Sequence, residues 1–249
     1  MLIKIKEIYH DTHYFFIKQI SIITFISIIV TLFGSSIATF TEPHLKIISL
    51  LENNQWNNIN SIIEIINKFN MHEKKELLRY SILKIIELLA SKTLLLSSII
   101  TLISFLHYKK KSIILFINSL LKLLPSIFLI HCISMLIIQM GMMFFIFPGI
   151  ILSFLLLLSP IIFSFQNNNL IDSIYLSIYI SLKYIKIIGP MIILWIIAKL
   201  LLTMIFSHVI IVNKQFSSFI LNISINMLFV FLNIYLFRFY MLFMRSKHS

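Results

Sequence analysis

The sequence predicts an all-α protein, a polytopic helical membrane bundle with about six transmembrane helices and one amphipathic loop region. The chain is 59% hydrophobic and only 12% charged, whereas soluble domains carry about 25% charged residues. Mean hydropathy is +0.98. The run from Leu123 to Phe165 contains no Asp, Glu, Lys or Arg. As a helix it would be about 65 Å long, against a bilayer core of about 30 Å, so it predicts two antiparallel spans with almost no loop.

The predicted spans follow one another along a single membrane domain, residues 1–249. Each span is an apolar run bounded by charged or turn-forming residues. Residues 1–19 suit a short interfacial helix, although an ordinary polar flank fits equally well. Residues 170–186 are interpreted as an amphipathic connector. The spans are about 20–40, 88–108, 119–140, 145–166, 188–209 and 219–237.

The one sizeable non-membrane segment is a loop at about 41–87. It carries six basic and six acidic residues, so its net charge is zero. Asparagines at 53–58 mark a turn, and Ser61 to Glu64 has the spacing of a capping box. A second amphipathic stretch, residues 78–89, leads into the second span. We expect both stretches to lie on the membrane surface or against the bundle.

The net charge of +12 would suggest nucleic-acid binding in a soluble protein. Here the basic residues flank apolar runs, so we expect the lipid bilayer as partner and no nucleic acid. With six spans, the side of the termini holds twelve basic residues and the other side seven, six of them in the charge-neutral loop. The positive-inside rule therefore predicts both termini in the cytoplasm. Protein partners are not predicted.

We expect no catalytic, cofactor-binding or metal-binding residues and therefore no enzyme. The segment from His72 to Glu76 begins like the helix of a zinc peptidase but lacks the second histidine. After Glu87 the only acidic residue is Asp172, which argues against carboxylate-based proteolysis or proton-coupled transport. Four glycines leave no phosphate loop and no Gly-x-x-x-Gly face, so serine and alanine are expected to supply the close helix contacts.

One polar residue, Lys199, is predicted near the middle of a span, where a lysine costs about 2.5–3.5 kcal/mol on insertion scales. Two alternatives follow. The side chain faces the bundle interior as part of an intramembrane polar cluster, or it snorkels to the membrane surface. The candidate partners in the first alternative are Gln139, Asn222 and Asn226.

The prolines and glycines near the spans form a second candidate feature, a backbone motif of Pro148, Gly149 and Pro160. Proline frees backbone carbonyls, which can shape a cavity. More often such residues mark turns and helix starts, and that is the interpretation we adopt.

Several segments in collinear order resemble the YciC-like family (uncharacterised protein family 0259), inner-membrane proteins of Gram-negative bacteria. The resemblance implies a multi-pass protein of the cell inner membrane with no established catalytic or binding residues. Basic residues are usual in the connector of such proteins, but residues 173–179 have none here. The similar segments are YHDTHYFF (9–16), IQMGMM (138–143), FPGII (147–151), SP (159–160), WIIAKLLL (195–202) and IYLFRFYML (234–242).

Two functions from different classes are compatible with the sequence. The first is a non-enzymatic scaffold or envelope-homeostasis component, which fits the lack of a catalytic constellation. The second is a small-molecule or lipid transporter, or a lipid-handling protein, whose cavity would be lined by Lys199, Gln139 and the asparagines of the last span. The sequence contains no clear inverted repeat of the kind that many transporters have.

Overall fold

The computed structural model describes residues 5–41, 70–107, 112–166, 169–208 and 214–248, which are helical without a strand. Within these ranges, six segments are long and apolar enough to cross a membrane, which confirms the predicted all-α bundle. These segments are Ile20–Ile37, Met71–Leu106, Ile113–Phe144, Phe147–Phe165, Ile185–Ser207 and Phe216–Ser246. The helices are α1 (Ile5–Lys18), α2 (Ile20–Thr41), α3 (Met71–His107), α4 (Ile113–Phe144), α5 (Ile146–Leu155), α6 (Ser159–Gln166), α7 (Leu170–Lys183), α8 (Ile185–His208) and α9 (Lys214–His248).

The chain divides into two compact units. The larger comprises Met1–Thr31 and Lys92–Ser249, and the smaller comprises Leu32–Ser91. The boundaries fall within α2 and α3. Residues 42–69 of the predicted loop, including its capping box, lie outside the described residues. The single membrane domain stays a prediction.

In the smaller unit, α3 begins at a capped N-terminus. The Glu73 carboxylate accepts a hydrogen bond from the Asn70 backbone N–H at 2.8 Å, which satisfies one of the donors that a helix start leaves unpaired. His72 Nδ1 lies 3.8 Å from Glu76 Oε1 one turn later. The segment from His72 to Glu76 therefore forms the first turn of α3. Further along α3, Lys84 pairs with Glu87 at 2.8 Å.

The core of the larger unit is built around α9. Tyr235, Phe239 and Tyr240 of this helix are each at most 1% exposed, and the Tyr235 hydroxyl donates to the Ile187 carbonyl of α8 at 3.0 Å. Helix α9 runs on to His248, past the predicted end of the last span at residue 237. Phe239 and Tyr240, which lie beyond residue 237, are buried in the same core. Residues of other helices in the same core are Ile8, Leu96, Ile100, Ile127, Leu158, Ile161, Ile162, Ile180, Ile188, Met191 and Ile192.

The N-terminal segment forms the amphipathic helix α1, which packs on α9. Ile8 and Thr12 on its inner face are fully buried. The Phe231 ring of α9 lies 6.1 Å from the Tyr9 ring and 5.3 Å from the Phe16 ring, in edge-to-face arrangements that aromatic pairs favour. The helix predicted within residues 1–19 is therefore present, with one face held against the bundle.

Helices α4 and α5 form a hairpin that reverses at a single residue. Phe145 is extended, with φ −156° and ψ 149°, and its N–H donates to the Gly141 carbonyl at 3.3 Å. Beyond the turn Ser134 of α4 meets Ser159 of α6, with 3.2 Å between their hydroxyl oxygens. Gly141 meets Gly149 near the turn and Ser134 meets Ser159 further from it, so the two arms are antiparallel, as the uncharged run predicted.

Two glycines from opposite arms allow this hairpin to close. A Cβ built on Gly141 would lie 3.2 Å from the Gly149 Cα, and one built on Gly149 would lie 3.0 Å from the Met142 Cα. Both distances are shorter than ordinary van der Waals contact. The sequence predicts serine and alanine at the close helix contacts, but in this hairpin glycine makes the contact. A Gly-x-x-x-Gly search misses it because Gly141 and Gly149 belong to different helices.

Because Gly141 and Gly149 approach so closely, one methyl group added at either position should destabilise the protein. Gly141→Ala and Gly149→Ala should each lower the free energy of unfolding by about 1–3 kcal/mol, because the methyl group must displace backbone or a packed side chain. Unfolding of the purified protein in detergent micelles measures the loss.

Gly189→Ala is the matched control, since the nearest atom to its Cβ is Ile185 Cγ1 at 3.7 Å. It should be neutral or slightly stabilising, because alanine favours a helix interior over glycine. Equal stability of all three variants would contradict the proposed role of the hairpin contact.

Candidate functional site

The fourth span is interrupted between α5 and α6. Pro160 has no N–H, and the Leu156 carbonyl is instead bonded by the Ser159 N–H at 3.0 Å. In a continuous helix the Ser159 N–H would bond the Leu155 carbonyl four residues earlier. The turn at Pro160 therefore leaves the Leu155 carbonyl without its helical donor in the middle of an apolar span.

Two serines of α7 supply the missing donor. Ser177 Oγ donates to the Leu155 carbonyl at 2.6 Å and Ser181 Oγ donates at 3.3 Å. The two serines are one helical turn apart and share a face of α7, and both are buried. An unsatisfied carbonyl in hydrocarbon costs several kcal/mol, so this pair of hydrogen bonds fixes α7 against the break.

A third and a fourth hydroxyl extend this arrangement to α4. Ser159 Oγ donates to the Leu156 carbonyl at 2.7 Å and lies 3.2 Å from Ser134 Oγ. We call Ser134, Ser159, Ser177 and Ser181 the serine cluster. Its hydroxyl groups bond backbone carbonyls or each other, so the cluster joins α4 to α6 and α7 to α5. Pro148 and Pro160 lie in the first turns of α5 and α6, where they mark helix starts as interpreted, and Pro160 also exposes a carbonyl.

The residues of the predicted polar cluster make separate contacts. Lys199 is exposed, and its ammonium group lies 5.7 Å from the ring centroid of Trp195 on the same helix. Asn226 donates to Thr31 Oγ1 of α2 at 3.0 Å. Gln139 and Asn222 are exposed. Among the described residues no hydrogen bond or ring contact joins these side chains, and the cluster stays a prediction.

An ion pair connects α1 with α9. Arg238 Nε and Nη2 donate to Asp11 Oδ2 at 2.9 Å and 2.6 Å. The two side chains border a cavity of about 390 Å³, which is otherwise mostly apolar. The pair neutralises the arginine within α9 and ties α1 to the central helix, so its role is to hold the N-terminal helix in place.

A second cavity, of about 430 Å³, lies between α7 and α9 and combines aromatic rings with one positive charge. The Lys183 ammonium group lies 5.6 Å from the Tyr179 ring and 5.8 Å from the Tyr184 ring, within range of a cation–π attraction. None of the described residues that line it is a carboxylate. We call this space the Lys183 cavity, and its residues are Leu176, Tyr179, Ile180, Lys183, Tyr184, Tyr240, Phe243, Met244 and Ser246.

Several of these residues are not predicted from the sequence as site residues. Ser177 and Ser181 lie in a stretch read only as a connector, although their spacing of four on an apolar helix is a signal for hydroxyls on one face. In the sequence Lys183 is only one of the charges that flank a span. Arg238 bears only on the predicted topology, and no local pattern pairs it with Asp11, 227 residues away.

Comparison with known proteins identifies similar chains over nearly the whole length. The model of a family described as "Uncharacterised protein family (UPF0259)" matches residues 1–242. A "UPF0259 membrane protein" of Buchnera aphidicola subsp. Schizaphis graminum is 51% identical over 247 residues, which cover 99% of this chain and 100% of that protein. A protein of the same description from Yersinia pestis is 29% identical over 247 residues, with coverage of 97% and 96%. No solved structure matches this chain.

The serine cluster predicts a measurable coupling with Pro160. Replacing both donors, Ser177→Ala with Ser181→Ala, should lower the free energy of unfolding by about 1–3 kcal/mol, because the Leu155 carbonyl is left buried and unsatisfied. The same pair of changes should be less costly in a Pro160→Ala background. Alanine there restores an N–H for the Leu156 carbonyl and frees the Ser159 N–H to bond Leu155.

A double-mutant cycle of unfolding free energies in detergent measures this coupling. Ser153→Ala is the control, because Ser153 is on α5 and its hydroxyl bonds only the Ile150 carbonyl of its own helix. If the two serine substitutions cost the same free energy of unfolding with and without Pro160→Ala, the serines do not satisfy the Leu155 carbonyl.

Proposed function

The chain belongs to the uncharacterised protein family UPF0259, and we propose that it is a non-enzymatic inner-membrane protein that binds the phosphate-bearing headgroup of an anionic lipid. The Lys183 cavity carries this proposal. It combines one ammonium group and three tyrosines with an apolar wall, which are the groups that a phosphate, a glycerol backbone and the start of an acyl chain would contact.

The chemistry of the cavity favours an anionic amphiphile over other small molecules. Lysine binds phosphate as a compact point charge, and tyrosine rings prefer the boundary between hydrocarbon and headgroups. Basic pockets between transmembrane helices commonly hold lipid headgroups. The volume of about 430 Å³ lies within the range of about 300–1,000 Å³ typical of ligand sites. The described residues that line it include no histidine, cysteine or carboxylate, which supports binding without catalysis.

Lipid binding in this cavity is tested by substitution of its one charged residue. Lys183→Gln should weaken retention of phosphatidylglycerol about fivefold, since one lysine near a membrane surface contributes about 1 kcal/mol toward anionic lipid. Native mass spectrometry of the full chain, released from detergent with graded amounts of phosphatidylglycerol or phosphatidylcholine, measures retention.

Lys186→Gln is the matched control, because Lys186 is an exposed lysine in the first turn of α8 and does not line the cavity. It should retain phosphatidylglycerol as the unaltered chain does. If Lys183→Gln and the unaltered chain retained both lipids equally, the cavity would not be a site for anionic lipid.

We also propose that both termini are cytoplasmic. The distribution of twelve basic residues to the side of the termini and seven to the other supports this orientation, because basic loops stay inside. The Lys183 cavity would then face the cytoplasmic leaflet. The scaffold or envelope-homeostasis role inferred from the sequence stays a prediction, compatible with lipid binding.

Reporter fusions test the orientation. Alkaline phosphatase requires disulfides that form only outside the cytoplasm, so it should be inactive when fused after Ser249 and active when inserted at the hairpin turn beside Phe145. Green fluorescent protein at the C-terminus is the complementary control and should fluoresce. Phosphatase activity from the C-terminal fusion would reverse the assignment.

A further inference from the structure

Two lysines of the bundle, Lys92 on α3 and Lys199 on α8, come together beside two aromatic rings. The Lys92 ammonium group lies 6.0 Å from the Phe229 ring centroid, and the Lys199 ammonium group lies 5.7 Å from the Trp195 ring centroid. The two rings are themselves 6.1 Å apart. The two ammonium groups therefore lie beside one pair of neighbouring rings. The fold has thus concentrated positive charge within apolar helices.

Among the described residues, the ion pairs of the structure include neither Lys92 nor Lys199. The acid nearest to Lys92 along the chain, Glu87, pairs with Lys84 at 2.8 Å, and Asp11 pairs with Arg238. After Glu87 the only acidic residue of the chain is Asp172, in the first turn of α7. Two adjacent cations in a low-dielectric region call for an anion, and the last four spans of the chain contain no acidic residue.

Other polar atoms at the same place add hydrogen-bonding capacity. The Trp195 indole N–H is buried and bonds no acceptor among the described residues, although such groups usually find a partner. On α3, Thr93 follows Lys92, and Thr93 Oγ1 lies 3.4 Å from His131 Nδ1 of α4. The unused indole donor therefore lies beside the Lys199 ammonium group, whereas the buried Thr93 hydroxyl faces α4.

The exposure of the lysines indicates the kind of anion. Both are exposed on the outer surface of the bundle, where lipid surrounds a membrane protein. Their flexible stems let the ammonium groups reach the headgroup region while the stems stay in the hydrocarbon. Lys199 is about 21 Å along α8 from its first residue, Ile185, at about 1.5 Å per residue. This position is distant from the Lys183 cavity, whose residues Lys183 and Tyr184 directly precede α8.

We propose that Lys92 and Lys199 form a second site for an anionic phospholipid, in which one phosphodiester lies between the two ammonium groups beside Trp195. The site recognises the leaflet opposite to the one that the Lys183 cavity faces. It does not depend on lipid binding in that cavity, because no residue is shared between them.

The position of Trp195 provides a direct reporter. The chain has two tryptophans, Trp56 and Trp195, so Trp56→Phe leaves one indole, at the site. The full chain is reconstituted into vesicles of phosphatidylcholine containing equal fractions of brominated phosphatidylglycerol or brominated phosphatidylcholine. Bromine quenches fluorescence on contact, so the ratio of quenching by the two lipids reports which lipid sits beside Trp195.

We expect brominated phosphatidylglycerol to quench Trp195 more strongly than brominated phosphatidylcholine does. Lys92→Gln with Lys199→Gln should bring the ratio to about one, and the corresponding pair of arginine substitutions should preserve the preference. Lys122→Gln, at an exposed lysine of α4, removes one charge elsewhere and should leave the ratio unchanged. Lys183→Gln should also leave it unchanged, which separates this site from the Lys183 cavity.

Inorganic phosphate distinguishes the source of the anion. If excess phosphate abolishes the preference while chloride of equal ionic strength does not, the site binds free phosphate and the lipid assignment is wrong. Equal quenching by the two lipids in the Trp56→Phe chain would also overturn the proposal. Because this last comparison needs no lysine variant, it stands even if the double glutamine variant fails to fold.

Discussion

Every backbone carbonyl within lipid needs a hydrogen-bond donor, and this bundle depends on that constraint. Where the chain is regular, each helix meets that need internally. At Pro160 it does not, and the Leu155 carbonyl is satisfied by Ser177 and Ser181 of α7. A local break in one span thus determines the placement of another helix. The same turn brings Ser159 of α6 to Ser134 of α4, which holds the two arms together away from the hairpin turn.

Charge is handled by two different means in the larger unit. Arg238 within α9 has a carboxylate partner in Asp11, so a charge in the C-terminal helix is neutralised by the N-terminal helix. Lys92 and Lys199 have aromatic faces beside them instead. A ring attracts a cation but does not cancel its charge. The bundle therefore keeps positive potential at its surface, and the lysines on that surface are its most plausible points of contact with anionic lipid.

The sequence was sufficient for the class, the number of spans and the hairpin, because hydropathy and the absence of charge are properties of contiguous residues. It was insufficient for the interactions that depend on distant residues. Arg238 has an obvious topological role, but its partner Asp11 is at the other end of the chain. Pro160 signals a helix start, yet only the packing of α7 reveals which carbonyl it exposes. Lys199 was recognised as unusual, whereas its proximity to Lys92 required the arrangement of α3 and α8.

The glycine contact of the hairpin also has a consequence for the order of assembly. Gly141 and Gly149 are close in the chain, so the loop between them closes rapidly and can do so as soon as both arms have left the ribosome. The Leu155 carbonyl, by contrast, must wait for Ser177 to be synthesised. A newly made hairpin therefore enters the membrane already closed at its tip but with one carbonyl still unpaired. Its second arm becomes fully compatible with hydrocarbon only when α7 arrives.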